Sequence, residues 1–445
     1  MMKDWIANWG NYPWVEAEQN YFRYQDEAVK LVDSPETFIP RGNGRCYGDA
    51  SLADQTISTL KYKNIIAFDK ENGILHCQAG LTLDKILEVI VPAGWFLPVT
   101  PGTKFITVGG ALGSDVHGKN HHKDGSFSYH VLEFELLTSD GKVINVDKAS
   151  NPDLFWATAG GMGLTGLILS VKFQLKKIAS SLISQKQIKA RNLDEIMELF
   201  QKYEHYTYSM SWIDCFKAGK NLGRSILILG EHATEEEVQH IKPEKRLTFD
   251  NKSKLSIPIY FPPFVLNRLS IKAFNWLYYL KNWKKEMDAV VPYDGFFYPL
   301  DAILHWNKMY GKKGFVQYQF VLPLEESKEG LRKILTRINK KGWGSFLAVL
   351  KLFGDQEGLI SFPTKGYTLA LDFPVKKGLF EFLNELDEIV LEHKGRIYLS
   401  KDARMEREMF WKTYPNVDKF LDIVKEYNPA YKFQSVQSQR LFQPV

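Results

Sequence analysis

From about residue 40 to residue 174 the hydrophobic positions come in short β-rich runs, at 56–60, 73–77 and 167–171, with glycine clusters between them. That spacing predicts strands joined by tight backbone turns. One stretch breaks the rhythm. Leu83, Ile86, Leu87 and Ile90 recur at helical spacing behind Thr82, which is placed to cap the first turn ahead of Asp84, and this predicts a helix over 83–91. Past Lys177 glycine thins out and longer helical patterns, at 193–203 and 328–340, alternate with strands such as 315–322. In that last strand Gln317 and Gln319 stand two apart and therefore share a face. A helix followed by a short strand at 395–400 leads into Lys401–Asp402–Ala403–Arg404, and no internal repeat is present. The chain reads as mixed α and β in two regions.

A further pattern stands apart. Leu266, Leu269, Ala273, Trp276, Leu277, Leu280 and Trp283 repeat at three- and four-residue intervals, flanked by Arg268, Lys272, Lys281, Lys284 and Lys285. This predicts an aromatic, basic, amphipathic helix over 266–285, with two readings: an element lying on a membrane surface, or a helix packing its stripe on a domain core. The run before it, 258–264, is too rich in proline to join the helix and reads as a mobile lip over a pocket.

With 445 residues, the chain is too long for one ordinary core, so two domains, or one interrupting another, are expected. Hydrophobic residues make up 44% and charged residues 24%, which excludes extensive disorder. A net charge of +5, with no block of like charges, argues against a nucleic-acid partner and suits anionic small molecules or lipid headgroups better. Cys46, Cys77 and Cys215 are odd in number and widely spaced, which disfavours a disulfide framework and a zinc site and points to a reducing compartment. The first residues lack the apolar core of a signal peptide, and no stretch approaches the roughly 18 apolar residues of a spanning helix. The expected location is cytoplasmic, or peripheral on the inner face of the cell membrane.

The glycine clusters carry the candidate chemistry. Arg41–Gly42–Asn43–Gly44–Arg45–Cys46–Tyr47–Gly48–Asp49 frees the backbone for positive φ, so that successive N–H groups can converge on an anion such as a pyrophosphate. It is neither a Walker loop nor a dinucleotide-binding GxGxxG, and a ligand-free turn explains it equally well when taken alone. Residues 101–122 combine five glycines, small hydroxyls and the histidines His117, His121 and His122, leaving little side chain to bury and much backbone to donate. Ligand contact is the natural reason. A metal is not expected, because no cysteine or carboxylate stands at ligand spacing. A third cluster, 159–166, again offers backbone donors.

Together these segments carry a resemblance. RGxGRxYGD at 41–49, PGTxxxTVGGAxxxDxHGKNHHxxGSF from 101, LFWATxGGxGLTG at 154–166 and YxxKDxR at 398–404 occur in the order found in the FAD-dependent decaprenylphosphoryl-ribose 2-oxidases, within the vanillyl-alcohol-oxidase type of FAD fold. The chain is similar to that family over nearly its whole length. The resemblance implies an α+β protein: a two-part FAD-binding domain, residues 1–180 and 396–445, with an inserted substrate domain, 181–395, built on an antiparallel sheet. It implies FAD held by Arg41, Gly42, Asn43, Gly44, Arg45, Cys46 and Tyr47 in the first loop, and by Pro101, Gly102, Thr103, Thr107, Gly109 and Gly110 in the second. Ser114, Asp115, Val116, His117, Gly118 and Asn120 continue that contact, and Gly163, Ile168 and Tyr398 complete it. Relatives with covalent flavin attach it through a histidine in the first loop; Arg45 stands there, so the FAD is expected to be non-covalent.

Oxidising a carbinol requires a base for the hydroxyl proton and a hydride acceptor, and flavin N5 is the acceptor. Lys401 matches the family's lysine at the flavin face and serves as base only if burial near other cations lowers its pKa. The alternative for it is a surface ion pair with Asp402. Tyr47 and His117 match positions beside the flavin ring and are candidates for orientation and proton transfer, although a packed aromatic accounts equally for Tyr47. Gln317, Gln319, Lys351 and Thr368 match polar residues of the substrate pocket, and Trp212 offers either an aromatic wall or a core side chain. Where mycobacterial relatives carry a pocket cysteine attacked by nitro-aromatic inhibitors, this chain has Ala370.

The implied activity is oxidation of the C2 hydroxyl of a polyprenyl-phosphate-linked ribofuranose to a 2-keto sugar, first half of an epimerisation to the arabino form in cell-wall arabinan synthesis. A partner short-chain reductase would complete it. A free-sugar or aldonolactone oxidase on the same fold is the alternative, and a non-catalytic flavin- or lipid-binding protein is the alternative from another class. Fold resemblance alone does not choose the substrate.

Overall fold

A computed structural model describes residues 3–249, 255–262 and 265–442. Three larger sheets organise these, beside two short two-stranded ones. Strands Asp4–Ala7, Trp14–Tyr21, Ile39–Arg41 and Gln55–Ser58 form a small mixed sheet. Ile65–Asp69, Ile74–Gln78, Leu167–Gln174, Val131–Leu137 and Val143–Asp147 lie side by side, in that order, in an antiparallel sheet. The helix Leu83–Ile90 fills the expected span and buries Leu83, Ile86, Leu87 and Ile90. Thr82 occupies its N-cap position, but the side chain makes no capping bond; its carbonyl instead accepts from the amides of Lys85 and Ile86.

The remaining sheet has eight antiparallel strands, from Leu182–Ala190 to Arg396–Ile397, with order Glu286–Pro292, Leu182–Ala190, Ser225–His232, Tyr208–Ile213, Ala348–Phe353, Gly366–Pro374, Phe315–Pro323, Arg396–Ile397. Its final strand lies just past residue 395 and completes an edge by pairing Ile397 with Phe320. Register brings Gln317 opposite Asp372, Gln319 opposite Ala370, Thr368 opposite Lys351, and Ala370 opposite Val349, which in turn faces Trp212. Directly opposed residues share a face, so one face of the central strands collects these polar groups and Trp212. Helices Leu324–Lys341 and Leu379–Glu392 pack on this sheet through Leu331, Ile334, Leu335, Leu383 and Leu386, all buried.

The C-terminal helices Val417–Tyr427 and Val436–Leu441 return to the first part of the chain. Asn428 Nδ2 donates to the Leu164 carbonyl, Val436 N to Leu52 O, and Phe38 bridges Phe433. The amphipathic pattern at 266–285 becomes the helix Arg268–Lys281, capped by Asn267, whose side-chain oxygen accepts from the Leu269 and Ser270 amides. Of the run expected to form a lip, 258–262 is non-helical, whereas Pro263 and Phe264 lie outside the described residues.

The loop after Arg41 is closed onto the segment after Tyr398. Tyr47 N donates to Ser400 O at 2.9 Å, and a Cβ on Gly48 would overlap the carbonyl of Asp402. No rotamer relieves a clash with backbone, so Gly48→Ala is expected to lower the unfolding free energy by about 3 kcal/mol. Gly295→Ala, which meets open space, is expected to change it by less than about 1 kcal/mol. Denaturant unfolding of the two variants checks this, and equal stability would show that the seam tolerates a side chain.

Candidate active site

The three glycine clusters, the polar face of the eight-stranded sheet and the helix Arg268–Lys281 surround one cavity of about 780 Å³. That lies within the range typical of small-molecule sites, about 300–1,000 Å³. Local bonding fixes the first loop: Trp9 N donates to Cys46 O at 2.9 Å and Asn8 Nδ2 to Gly48 O at 2.7 Å. The Arg41 guanidinium beneath it donates to Asn8, to Ser51 O at 3.0 Å and to Ala7 O at 2.9 Å.

One half of the cavity suits a dinucleotide. Among the described residues, Gly42, Asn43, Gly44, Arg45, Gly102 and Thr103 line it, and their amides have no hydrogen-bond partner in the protein. Free backbone donors at a concave wall match a pyrophosphate. Gly44 has φ +57°, the left-handed turn that such a loop requires, and a Cβ on Gly42 would meet the Thr107 hydroxyl, so the two loops approach at backbone distance. Thr107 caps the turn Val108–Gly113 by accepting from Gly110 N at 3.2 Å. The Arg45 guanidinium lies 4.1 Å from the Trp9 ring centroid and 5.2 Å from that of Phe105. Nearby Asp301, pushed up to about 6 by burial, accepts from Lys104 N at 2.9 Å. His117 Nδ1 is a buried polar atom with no partner, in a ring that lines the cavity and packs against Phe353 and Tyr398. Free amides, an orphaned imidazole nitrogen and a glycine-thinned wall fit the FAD implied by the resemblance.

The other half gathers charge. Lys401 Nζ stands 3.7 Å from the Tyr47 ring centroid. Burial, opposed by Asp372 and reinforced by Lys351, brings Lys401 down to about 7. Asp372 is itself buried, which raises it to about 7, and accepts from Gln317 Nε2 at 2.7 Å and Tyr310 Oη at 3.2 Å. Gln317 also contacts the Tyr47 hydroxyl, and burial, then Asp372, holds Tyr47 well above its ordinary value, so it stays a neutral phenol. Gln319 Nε2 lies 3.1 Å from His117 Nε2 and 3.2 Å from Thr368 Oγ1. Burial, then Lys351, His121 and Lys401, keeps His117 well below the usual imidazole range and hence neutral. Tyr398 donates its hydroxyl to Ser114 O at 3.0 Å.

Most residues expected from sequence line this cavity, and three do not. Asp115 is fully buried, with its carboxylate held by Ser361, Gln356 and the Ser128 amide. Asn120 turns away to the Pro98 carbonyl and Asp124. Thr368 sits behind Gln319 and donates to Phe320 O at 2.8 Å. Each therefore braces the wall from behind. The ion pair weighed for Lys401 is not formed with its neighbour, since Asp402 accepts from Arg440 at 2.8 Å. Trp212 is both core and wall: it is 5% exposed, lines the cavity and donates Nε1 to Phe346 O at 3.1 Å. Sequence reasoning passes over Asp372 and Asp301, and notes Lys119 only within its His-Gly-Lys run. Register alone reveals Asp372, as the residue opposite Gln317. No group of three or more histidine, cysteine or carboxylate side chains able to hold a metal occurs among the described residues.

Comparison with known proteins agrees with this layout. An FAD binding domain family matches residues 26–147. The decaprenylphosphoryl-beta-D-ribose oxidase of Mycolicibacterium smegmatis is 37% identical over 409 residues, covering 91% of this chain and 88% of that protein. A Streptomyces coelicolor protein described as an uncharacterized protein in the mprA 5' region is 33% identical over 370 residues, 81% of this chain and 100% of its own length. The mouse L-gulonolactone oxidase is 28% identical over 153 residues, 34% of this chain and 32% of that protein.

The cations of the second half make a stability difference measurable without substrate. Burial lowers Lys351 to about 8, so below that pH the folded protein carries a desolvated ammonium. Because the folded value lies below the unfolded one, the destabilisation is full below about 8 and fades as pH rises toward about 10.5. Lys351→Met, similar in length and uncharged, is expected to raise the unfolding free energy by about 2 kcal/mol at pH 7, with the gain shrinking above pH 8. Urea titrations at both pH values check it, and a pH-independent or negative change would contradict it.

Proposed function

The chain belongs to the decaprenylphosphoryl-beta-D-ribose oxidase family, and on that basis we propose that it uses FAD to oxidise the C2 hydroxyl of a polyprenyl-phosphate-linked ribofuranose to the 2-keto sugar. The observation that carries this reading is Lys401, a half-buried lysine brought down to about 7 by desolvation, on the wall of the cavity whose other half has the free amides. In this reading residues 1–180 and 396–445 hold the cofactor and 181–395 shape the substrate side.

The amides of 42–45 and 102–103 would hold the pyrophosphate, and Tyr398, His117 and Gly163 would border the flavin. FAD supplies the hydride acceptor when bound. Arg45, fixed between two aromatic rings, gives the flavin no side-chain nucleophile, so the cofactor is held without a covalent bond. Neutral Lys401 accepts the hydroxyl proton as the carbinol carbon is oxidised. Asp372 holds Gln317, and Gln317 holds the Tyr47 hydroxyl, which orients the ring under Lys401. His117 stays neutral and is fixed by Gln319, so its part is orientation. Gln317 and Gln319 present amides to sugar hydroxyls, and Trp212 gives the ring an apolar face. Ala370 leaves this wall without a thiol.

The product ketone suits a partner short-chain reductase that returns it as the arabino epimer for cell-wall arabinan. Free Cys46, Cys77 and Cys215 support a reducing location, cytoplasmic or on the inner face of the membrane. No helix among the described residues is long and apolar enough to cross a membrane. Membrane contact is instead assigned to Arg268–Lys281, which divides its faces: Ser270, Ile271, Phe274 and Tyr278 line the cavity, while Leu269 at 78%, Leu277 at 60% and Trp276 at 53% are exposed. Trp283, 74% exposed, continues the outer face beside Lys284 and Lys285. The stripe thus faces solvent instead of a domain core. An apolar outer face rimmed by lysines, on a helix that walls the site, suits delivery of a lipid-linked sugar.

The reaction predicts a pH profile. The base form of Lys401 fills in above about 7, so flavin reduction by substrate is expected to rise with pH through about 7 and level off. Lys401→Met is expected to keep FAD and slow reduction at least about 100-fold. Stopped-flow reduction without oxygen checks both, and near-normal reduction in the variant would remove Lys401 from the mechanism.

The membrane assignment makes its own demand. The protein should float with anionic vesicles at low salt, and Lys281, Lys284 and Lys285 changed to glutamate should release it with FAD content intact, since each lysine contributes about 1 kcal/mol near such a surface. Wild type that stays at the bottom of the gradient would rule out this helix as the membrane contact.

A further inference from the structure

Several cations of the interior are paired with carboxylates, whereas Arg41 is satisfied by neutral oxygens of Asn8, Ser51 and Ala7. Lys104, 2% exposed, meets Asp294; Arg404 meets Asp387; Arg440 meets Asp49 and Asp402. Two lysines on the cavity wall, besides Lys401, have neither a carboxylate partner nor such a set of neutral oxygens. Lys351 has no hydrogen-bond acceptor or carboxylate partner among the described residues, and is half-buried on the cavity wall. Lys119, 9% exposed, has only neutral company: its ammonium donates to the Phe296 carbonyl and stands 4.4 Å and 5.7 Å from the ring centroids of Phe296 and Phe297.

The two are held together by one strand. Ser209 N donates to Lys119 O at 2.8 Å, while Lys351 follows Leu350, which pairs with Ser211 in the same strand, Tyr208–Ile213. They are near enough for the charge of Lys351 to disfavour that of Lys119, which burial and this neighbour bring down to about 7. Like charges brought together in a desolvated wall, with no counter-ion, are costly unless an anion completes the site. From this strand the wall continues through Trp212, whose ring centroid lies 4.8 Å from that of Tyr278, onto the helix Arg268–Lys281 with its exposed apolar outer face.

We propose that Lys119 and Lys351 form an anion subsite that receives the phosphodiester of the substrate, with the apolar tail leaving past Trp212 and Tyr278 toward the helix Arg268–Lys281. The inference rests on the lipid-linked riboside reading and gives the phosphate a place apart from Lys401. It makes these two lysines the residues that discriminate an anionic lipid-linked sugar from a neutral one.

The test uses the FAD-bound protein and two readouts. In the first, calorimetry with farnesyl phosphate, which carries no sugar, is expected to show binding to wild type that weakens about tenfold or more in Lys119→Gln and in Lys351→Gln, the loss of one charge-assisted contact each. Lys377→Gln, on the exposed surface, is expected to match wild type. In the second, the ratio of kcat/KM for farnesylphosphoryl ribofuranoside to that for a neutral alkyl ribofuranoside is expected to fall about tenfold or more in the same two variants. Should a glutamine variant fail to load FAD, Lys351→Arg keeps the charge and is expected to retain farnesyl phosphate binding. Absent binding in wild type, equal binding in wild type and both glutamine variants, or loss on Lys351→Arg, overturns the subsite. If no riboside reduces the flavin while farnesyl phosphate binding still falls in the variants, the subsite stands and the oxidation reading falls instead.

Discussion

The site depends on one backbone seam. The loop after Arg41 and the segment after Tyr398 are about 350 residues apart in sequence, yet Tyr47 N bonds Ser400 O and Gly48 lies against the Asp402 carbonyl with no room for a methyl group. The seam puts Lys401 over the Tyr47 ring. It is fastened behind by Arg440, which bonds Asp49 on one side and Asp402 on the other, a buried arrangement whose partners would be costly to leave single. Through this junction the two ends of the chain form one wall of the cavity, and the strands between them supply the opposite one.

With the seam in place, electrostatics divides the cavity. One side offers neutral donors, the free amides of 42–45 and 102–103, which hold an anion without titrating. The other offers lysines whose charge is costly. Lys401, with Asp372 near it, titrates near neutrality and suits proton transfer; Lys119 and Lys351, with no carboxylate partner, suit a fixed anion. Desolvation lowers all three, and the neighbourhood decides what each does with the result.

Much of this was legible in the chain. The helix at 83–91, the strand at 315–322 and the amphipathic run at 266–285 follow from periodicity, because burial on one face imposes a period on the sequence. The glycine loops announced themselves by composition, and the four motifs carried the family. What stayed hidden depends on orientation or pairing. Asp115 and Asn120 sit inside a donor-rich loop, yet turn inward to Ser361 and the Pro98 carbonyl, and no spacing rule gives the direction of a loop side chain. Asp372 is an ordinary strand aspartate until register sets it opposite Gln317. The outward face of Arg268–Lys281 was also undecidable from its stripe, because the same pattern serves a core or a membrane until its neighbours are known.

The proposed reaction oxidises C2 of an anionic lipid-linked riboside, with Lys401 taking the hydroxyl proton. Its most direct test is anaerobic reduction of the bound FAD by farnesylphosphoryl ribofuranose carrying deuterium at C2 or, separately, at C3. Deuterium at C2 is expected to slow bleaching by a primary isotope effect, deuterium at C3 is not, and the recovered product is expected to be the 2-keto sugar. Bleaching insensitive to deuterium at C2, or equally rapid reduction by free ribose or L-gulonolactone, would contradict it.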